Sequence, residues 1–185
     1  MDAVLRDGST VHLREARTAD RDALVAFYES LSLQSRYFRF FVGMAKFDHL
    51  VDHWLERGGL GLLALQKDRI VGHAYYGVVT ARRGEAGFAV GDEMQGRGLG
   101  TILLGQLAAI AGSAGIEEFE ATILAENRQM LSVFRDSGFP IRTPGRSGSS
   151  SRPRSRRRRG GVSRTATGCR RCPPCGPSSG PSRSP

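Results

Sequence analysis

Apolar and polar positions alternate over Thr10-Val11-His12-Leu13-Arg14, which predicts a half-buried first strand. The period then changes. Ala23, Leu24, Phe27 and Leu31 recur at helical spacing behind the N-cap candidates Thr18 and Asp20. The aromatic-basic stretch Ser35-Arg36-Tyr37-Phe38-Arg39-Phe40-Phe41 closes a second short helix, and residues 47–55 form a third, ended by Gly58-Gly59. Strands follow over 60–66, 70–80 and 85–92, with turns at Lys67-Asp68 and Arg82-Arg83-Gly84 and a bulge at Gly72. The glycine-rich segment Gln95–Gly100 leads into a helix over 101–114. Leu103, Leu107, Ile110, Ala111 and Ala114 line its inner side and Gly115 stops it. Residues 118–123 alternate as one more strand. Asn127 caps a last helix over 128–137, and Gly138 ends it. Helices, an antiparallel meander and a closing strand-helix-strand crossover predict an α+β domain with helices on both faces of a mixed sheet.

The pattern stops near Pro144. This divides the chain into a domain over residues 1–142 and an Arg/Ser/Pro/Gly-rich tail over 143–185, expected to be disordered because it carries too little apolar surface to offset its ordering entropy. The division changes the meaning of the net charge of +9. All 18 acidic residues precede Pro144, and eleven arginines follow it. Taking those eleven from the 27 basic groups leaves 16, so the body is slightly acidic at −2. A nucleic-acid partner is therefore implied only if the tail is a genuine basic arm. The lysine-free tail composition also matches what out-of-frame GC-rich codons yield, and this reading is preferred. A metal knuckle at Cys169, Cys172 and Cys175 falls short of the four ligands a structural zinc takes.

No apolar run reaches the roughly 18 residues needed to cross a bilayer, and Met1–Asp7 lacks a signal-peptide core. The body has no cysteine and needs no oxidising compartment, so a cytoplasmic protein is expected. His49 and His53 have metal-ligand spacing but no third partner, and no metal is expected.

The chemistry concentrates in Gln95-Gly96-Arg97-Gly98-Leu99-Gly100. Glycines directly before a helix leave backbone N–H groups open to an anion, where the helix dipole also favours negative charge. Arg97 and Thr101 can add contacts. A Walker A loop would need a lysine after the glycines, and a dinucleotide loop would need G-x-G-x-x-G within a βαβ unit. Neither fits. The Gln/Arg-x-x-Gly-x-Gly/Ala pattern of an acyl-CoA loop fits at every fixed position. The plain alternative is a tight strand-to-helix turn with no ligand.

With this loop the chain resembles the GNAT superfamily of acyl-CoA N-acyltransferases over about residues 4–141. Glu126–Phe139 is similar to the family's second CoA segment. More narrowly, Leu5–Arg14 and Ser35–Phe41 resemble the GNAT domains of bacterial protein-lysine acetyltransferases. The resemblance implies acetyl-CoA as acyl donor, held by Phe88, Ala89, Val90, Gln95, Gly96, Arg97, Gly98, Leu99, Gly100, Thr101, Asn127 and Phe134. It implies that pantetheine lies between two splayed strands like an added strand. It also implies a general base at Glu85, with Glu93 second. A base is needed because a free lysine amine is mostly protonated at neutral pH. The composition-only reading of Glu85 is an exposed strand-end carboxylate.

Where many relatives carry a tyrosine acid, this chain has Phe134, so water, Tyr75 or Tyr76 must reprotonate the thiolate. The family's two closing strands are expected to be missing after Pro140-Ile141-Arg142, leaving an exposed sheet edge and an unstable or weakly active chain. The leading expectation is acetyl transfer to a protein lysine. The alternatives are a small-molecule amine acceptor, a non-catalytic acyl-CoA sensor, or a basic-tail nucleic-acid binder.

Overall fold

The computed structural model describes residues 1–41, 46–56, 61–142 and 163–168. The strands are β1 (Asp2–Val4), β2 (Thr10–Glu15), β3 (Gly61–Gln66), β4 (Arg69–Thr80), β5 (Arg83–Val90), β6 (Glu118–Ile123), β7 (Ile141–Arg142) and β8 (Ser163–Gly168). The helices are α1 (Arg21–Ser30), α2 (Leu33–Phe40), α3 (Phe47–Glu56), α4 (Leu99–Ser113) and α5 (Arg128–Asp136). They order into one sheet, β1-β2-β3-β4-β5-β6-β8-β7. Every neighbouring pair is antiparallel except β5 and β6, which run parallel around the crossover through α4. Among the described residues, no helix is long and apolar enough to cross a membrane.

Alternation along the strands feeds two cores. Leu62, Ala64, Val71, Ala74, Tyr76, Ala86 and Phe88 point to the face covered by α4 and α5. Leu63, Ile70 and Ala89 point to the opposite face, under α1 and α3. This period-two division produces the three layers. Helix α4 buries Leu99, Leu103, Leu104 and Leu107, each contributing roughly 2 kcal/mol relative to exposure. Gly72 lets it approach, since a Cβ there would stand 3.1 Å from Leu103 Cδ1. The register shift falls beside Gly72 rather than on it: Ala64 pairs with Gly72 and Leu65 with Ile70, leaving Val71 as the extra residue.

Two other expectations are corrected. Asp20 precedes α1 but makes no side-chain cap. Its carboxylate accepts from Arg14 Nη1 at 2.7 Å and Nη2 at 2.6 Å and from the Arg17 N–H, which lowers its pKa. The sheet also does not stop at β6. Strand β8 pairs along all of β6, from Glu118↔Gly168 to Ile123↔Ser163, and β7 pairs with β8. The open backbone groups of β6 are a template for a further strand, and β-branched Thr165 and Thr167 favour extended backbone. No apolar alternation announces β8 in the sequence. The rest of 143–185, including Cys169, Cys172 and Cys175, lies outside the described residues, as does Gly58-Gly59.

Candidate active site

Strands β5 and β6 pair only over Arg83–Glu85 and Glu118–Glu120. Beyond Glu85, β5 continues to Val90 held by β4 alone. The Gly91 N–H donates to Val71 O at 2.9 Å, so residues 87, 89 and 91 turn their backbone groups to β4. By alternation, Phe88 and Val90 turn theirs to the gap. The Val90 carbonyl accepts there from Gln95 Nε2 at 3.4 Å. The gap therefore offers an unpaired strand edge.

The loop closes one end of this gap. Gly96 and Gly98 adopt φ of 76° and 87°, which L side chains rarely adopt. Gly98 is the N-cap of α4 and its carbonyl accepts from the Ile102 N–H at 3.2 Å. The N–H groups of Leu99, Gly100 and Thr101 precede that first bond and have no intrahelical acceptor. Gly100 is small for packing reasons as well: a Cβ would meet Val133 Cγ2 at 3.1 Å.

Facing the loop, Asn127 Oδ1 accepts from the Met130 N–H at 3.0 Å and caps α5. A cavity of about 380 Å³ joins these parts. It is lined by Phe88, Ala89, Val90, Gln95, Gly96, Gly98, Leu99, Gly100, Thr101 and Asn127 among the residues expected from sequence.

Several expected residues lie off the lining. Arg97 turns away, its Nη1 donating to Asp7 Oδ2 at 2.8 Å and its carbonyl accepting from the Arg6 N–H at 3.0 Å. Hydrogen bonds from Ser9, then Arg97, hold Asp7 below the usual carboxylate pKa. Phe134 is buried behind Phe88, ring centroids 5.9 Å apart. Glu85 is exposed at the apex of the gap, paired with Gly77 on one side and Glu120 on the other. Glu93 forms an ion pair with Arg69 and does not line the cavity. Of the two tyrosines, Tyr76 packs on Phe119 in the α4 core. Tyr75 pairs with Gly87 and so lies on the face that carries Glu85.

The cavity also holds residues that sequence reasoning did not single out. Arg6 and Arg128 line it. Arg6 lies over Gly98, where a Cβ would meet its side chain at 3.3 Å, and its guanidinium is 3.9 Å from Asp136. From α2, Ser35 donates to Asp92 Oδ1 at 2.5 Å and accepts from Gln95 Nε2 at 3.1 Å, while Ser32 donates twice to Asp92 at 2.8 Å. Burial pushes the Asp92 pKa up, but these hydrogen bonds from Ser35 and Ser32 outweigh it and the net shift is downward. This cluster ties α2 to the loop. Arg39, one turn later on α2, also lines the cavity.

Behind it, buried His73 shares a 2.7 Å hydrogen bond with the Tyr28 hydroxyl, and burial, with Arg39 nearby, lowers its pKa to about 3. Among the described residues, no three His, Cys, Asp or Glu side chains converge as a metal site. The only sequence signal for Arg6 and Arg39 is basic residues beside turn glycines or aromatics, which does not by itself mark a site.

An open parallel edge, a left-handed glycine turn and a helix N-terminus in one cavity define an acyl-CoA-type acyltransferase architecture. The sequence profile of the Acetyltransferase (GNAT) family matches residues 24–139, and the chain belongs to that family. It is similar to the GNAT domain of S. lividans PAT, at 30% identity and a TM-score of 0.74, over 90% of this chain and 94% of that one. Acetyltransferase Pat of Mycolicibacterium smegmatis (strain ATCC 700084 / mc(2)155) is 40% identical over 54 residues, 29% of this chain, and the match spans 16% of that relative's length. YncA of Salmonella typhimurium, determined with acetyl-CoA, shares the fold at 19% identity and a TM-score of 0.64, over 85% of this chain and 91% of that one.

Proposed function

We propose that the chain transfers an acetyl group from acetyl-CoA to a primary amine, and that this amine is a protein lysine ε-amine. The observation that carries the reading is the opening of β5 from β6 after Glu85, into the cavity that also receives the free N–H groups of α4. The pyrophosphate fits the glycine turn, where dipole and open donors favour an anion. Arg6 and Arg128 supply charge at the same mouth.

The pantetheine amides pair with the open edge at Phe88 and Val90, and Asn127 faces them across the gap. Backbone N–H groups at that edge stabilise charge developing on the thioester oxygen. Glu85, directly or through a water, takes the proton from the incoming ammonium, and the neutral amine attacks the thioester carbon. The C–N bond forms, the attacking nitrogen releases its second proton to solvent, the C–S bond breaks, and the thiolate takes a proton from solvent or from Tyr75, which solvent then reprotonates.

The lysine assignment is supported by residues 5–14 and 35–41, which resemble protein-lysine acetyltransferases, and by similarity to the S. lividans PAT domain. The cysteine-free body fits a cytoplasmic setting. The test is mass spectrometry of lysine peptides and free amines incubated with acetyl-CoA and the full chain. A mass gain of one acetyl group on lysine is expected. Modification of small amines alone would move the assignment to a small-molecule acceptor.

A further inference from the structure

Arg39 lies against β5 at Gly87. A Cβ on that residue would overlap Arg39 Nη2, so a side chain at this position must displace the guanidinium. Three rings surround the group, with Cζ 5.0 Å from the Phe40 centroid, 5.3 Å from Tyr75 and 5.6 Å from Trp54. Aromatic faces offset part of the cost of burying the cation but do not satisfy its N–H donors. Nε and Nη2 are both buried and meet no acceptor at hydrogen-bond geometry among the described residues, although the Tyr28 and Tyr75 hydroxyls lie near the guanidinium. Buried unpaired donors of this kind are rare without a ligand or water.

Their location is specific. Gly87 is two residues beyond the last β5–β6 pair and one before Phe88, and Arg39 lines the same cavity as Phe88, Ala89 and Val90. By the strand period, Glu85, Gly87 and Tyr75 share this face. The Ser35–Asp92–Gln95 cluster fixes α2, and with it Arg39, relative to the loop.

We infer that Arg39 is an anion-recognition residue that takes a carboxylate carried by one of the two substrates beside the reacting thioester. A planar guanidinium with two unpaired donors matches the two oxygens of a carboxylate, and turning the side chain toward the cavity it lines brings those donors to the ligand. The carboxylate has two sources: the end of a dicarboxylic acyl chain on CoA, or an acidic group next to the acceptor amine. The inference rests on reading the cavity as an acyl-CoA site, and its test separates the two.

Trp54 is the only tryptophan of the chain, so its fluorescence reports on Arg39 without acyl-CoA. Succinate is titrated into the full chain, with sodium chloride at matched ionic strength as control. A saturable change is expected that weakens at least tenfold in Arg39→Gln, and also in Gly87→Ala, which displaces the guanidinium while keeping it. No saturable change, or an equal one in both variants at matched thermal melting, overturns the inference.

Two kinetic arms then assign the source: succinyl-CoA against acetyl-CoA as donor, and lysine peptides with Glu against Gln beside the lysine as acceptor. One arm should show a preference of about tenfold for the carboxylate, lost in Arg39→Gln. Preference in neither arm removes the substrate role. If acetyl-CoA fails to bind, the acyl-CoA reading falls, and the Trp54 titration still decides whether Arg39 takes an anion.

Discussion

Glu85 on β5 is paired with Glu120 on β6, and this is the last bridge between the two strands before they separate. The candidate base therefore stands at the point where the sheet opens, exposed and off the cavity lining. Glu85→Gln should lower kcat by roughly 10²- to 10⁴-fold while leaving acetyl-CoA affinity unchanged. The residual rate should climb with pH, because the fraction of neutral lysine rises toward its pKa of about 10.4. Stopped assays over pH 6.5–9.5, with acetyl-CoA titrations of both proteins, check this. A variant that keeps the parent rate would remove Glu85 from the mechanism.

A side chain at Gly100 would crowd α5: a Cβ would meet Val133 at 3.1 Å, tighter than ordinary packing, and Phe88 at 3.6 Å. Gly100→Val pushes α5 away and fills the cavity beside the free N–H groups. It should weaken acetyl-CoA binding by at least tenfold and lower the melting temperature. Calorimetric titration and thermal denaturation read the two effects separately.

Removing the cap in Asn127→Ala leaves the Met130 N–H without its 3.0 Å acceptor. The expected cost is about 1 kcal/mol, measured by urea denaturation. Acetyl-CoA affinity should fall as well, because the same side chain faces the gap. An unchanged affinity would restrict Asn127 to capping.

Buried His73 sets an acid limit on stability. Burial lowers its folded pKa from 6.5 to about 3, so it is neutral in the native chain while the unfolded chain binds a proton below about pH 6.5. Its contribution is fully present above pH 6.5. It falls as pH drops through that window toward 3, with a slope approaching about 1.4 kcal/mol per pH unit. Melting temperatures between pH 7.5 and 4.5 should decline in the parent and flatten in His73→Asn.

Strand β8 adds six paired positions to β6, and a chain ending at Arg142 loses all of them. Such a chain should melt at lower temperature and associate through the bare edge of β6. Light scattering and circular dichroism of the two lengths compare them. Equal stability and a monomeric truncated form would show that β8 adds nothing.

Legibility in the sequence followed the range of the interactions. β2 to β5 were visible because alternate residues feed two separate cores. The end of α4 was visible in Gly115, which adopts φ of 87°, and the start of α5 in the Asn127 cap. β1 was not visible: three residues carry no period, and the strand is held by pairing with β2 and by the Met1 ammonium donating to Leu13 O at 2.7 Å.

β8 was hidden because its pairing is set by the free edge of β6, not by its own pattern. Within the site, the glycine turn was local and could be read directly. Arg6 reaches that turn only by tertiary contact across about ninety residues of chain, and Arg39 acquires its meaning only where Gly87 passes beneath it.

Calorimetric titration of acetyl-CoA into the full chain tests the central claim most directly, with ATP and free acetate as controls. Saturable binding of one acetyl-CoA per chain is predicted, weakened at least tenfold in Gly100→Val, with no comparable binding of ATP or acetate. A folded chain that does not bind acetyl-CoA, or that binds ATP equally well, would contradict the account.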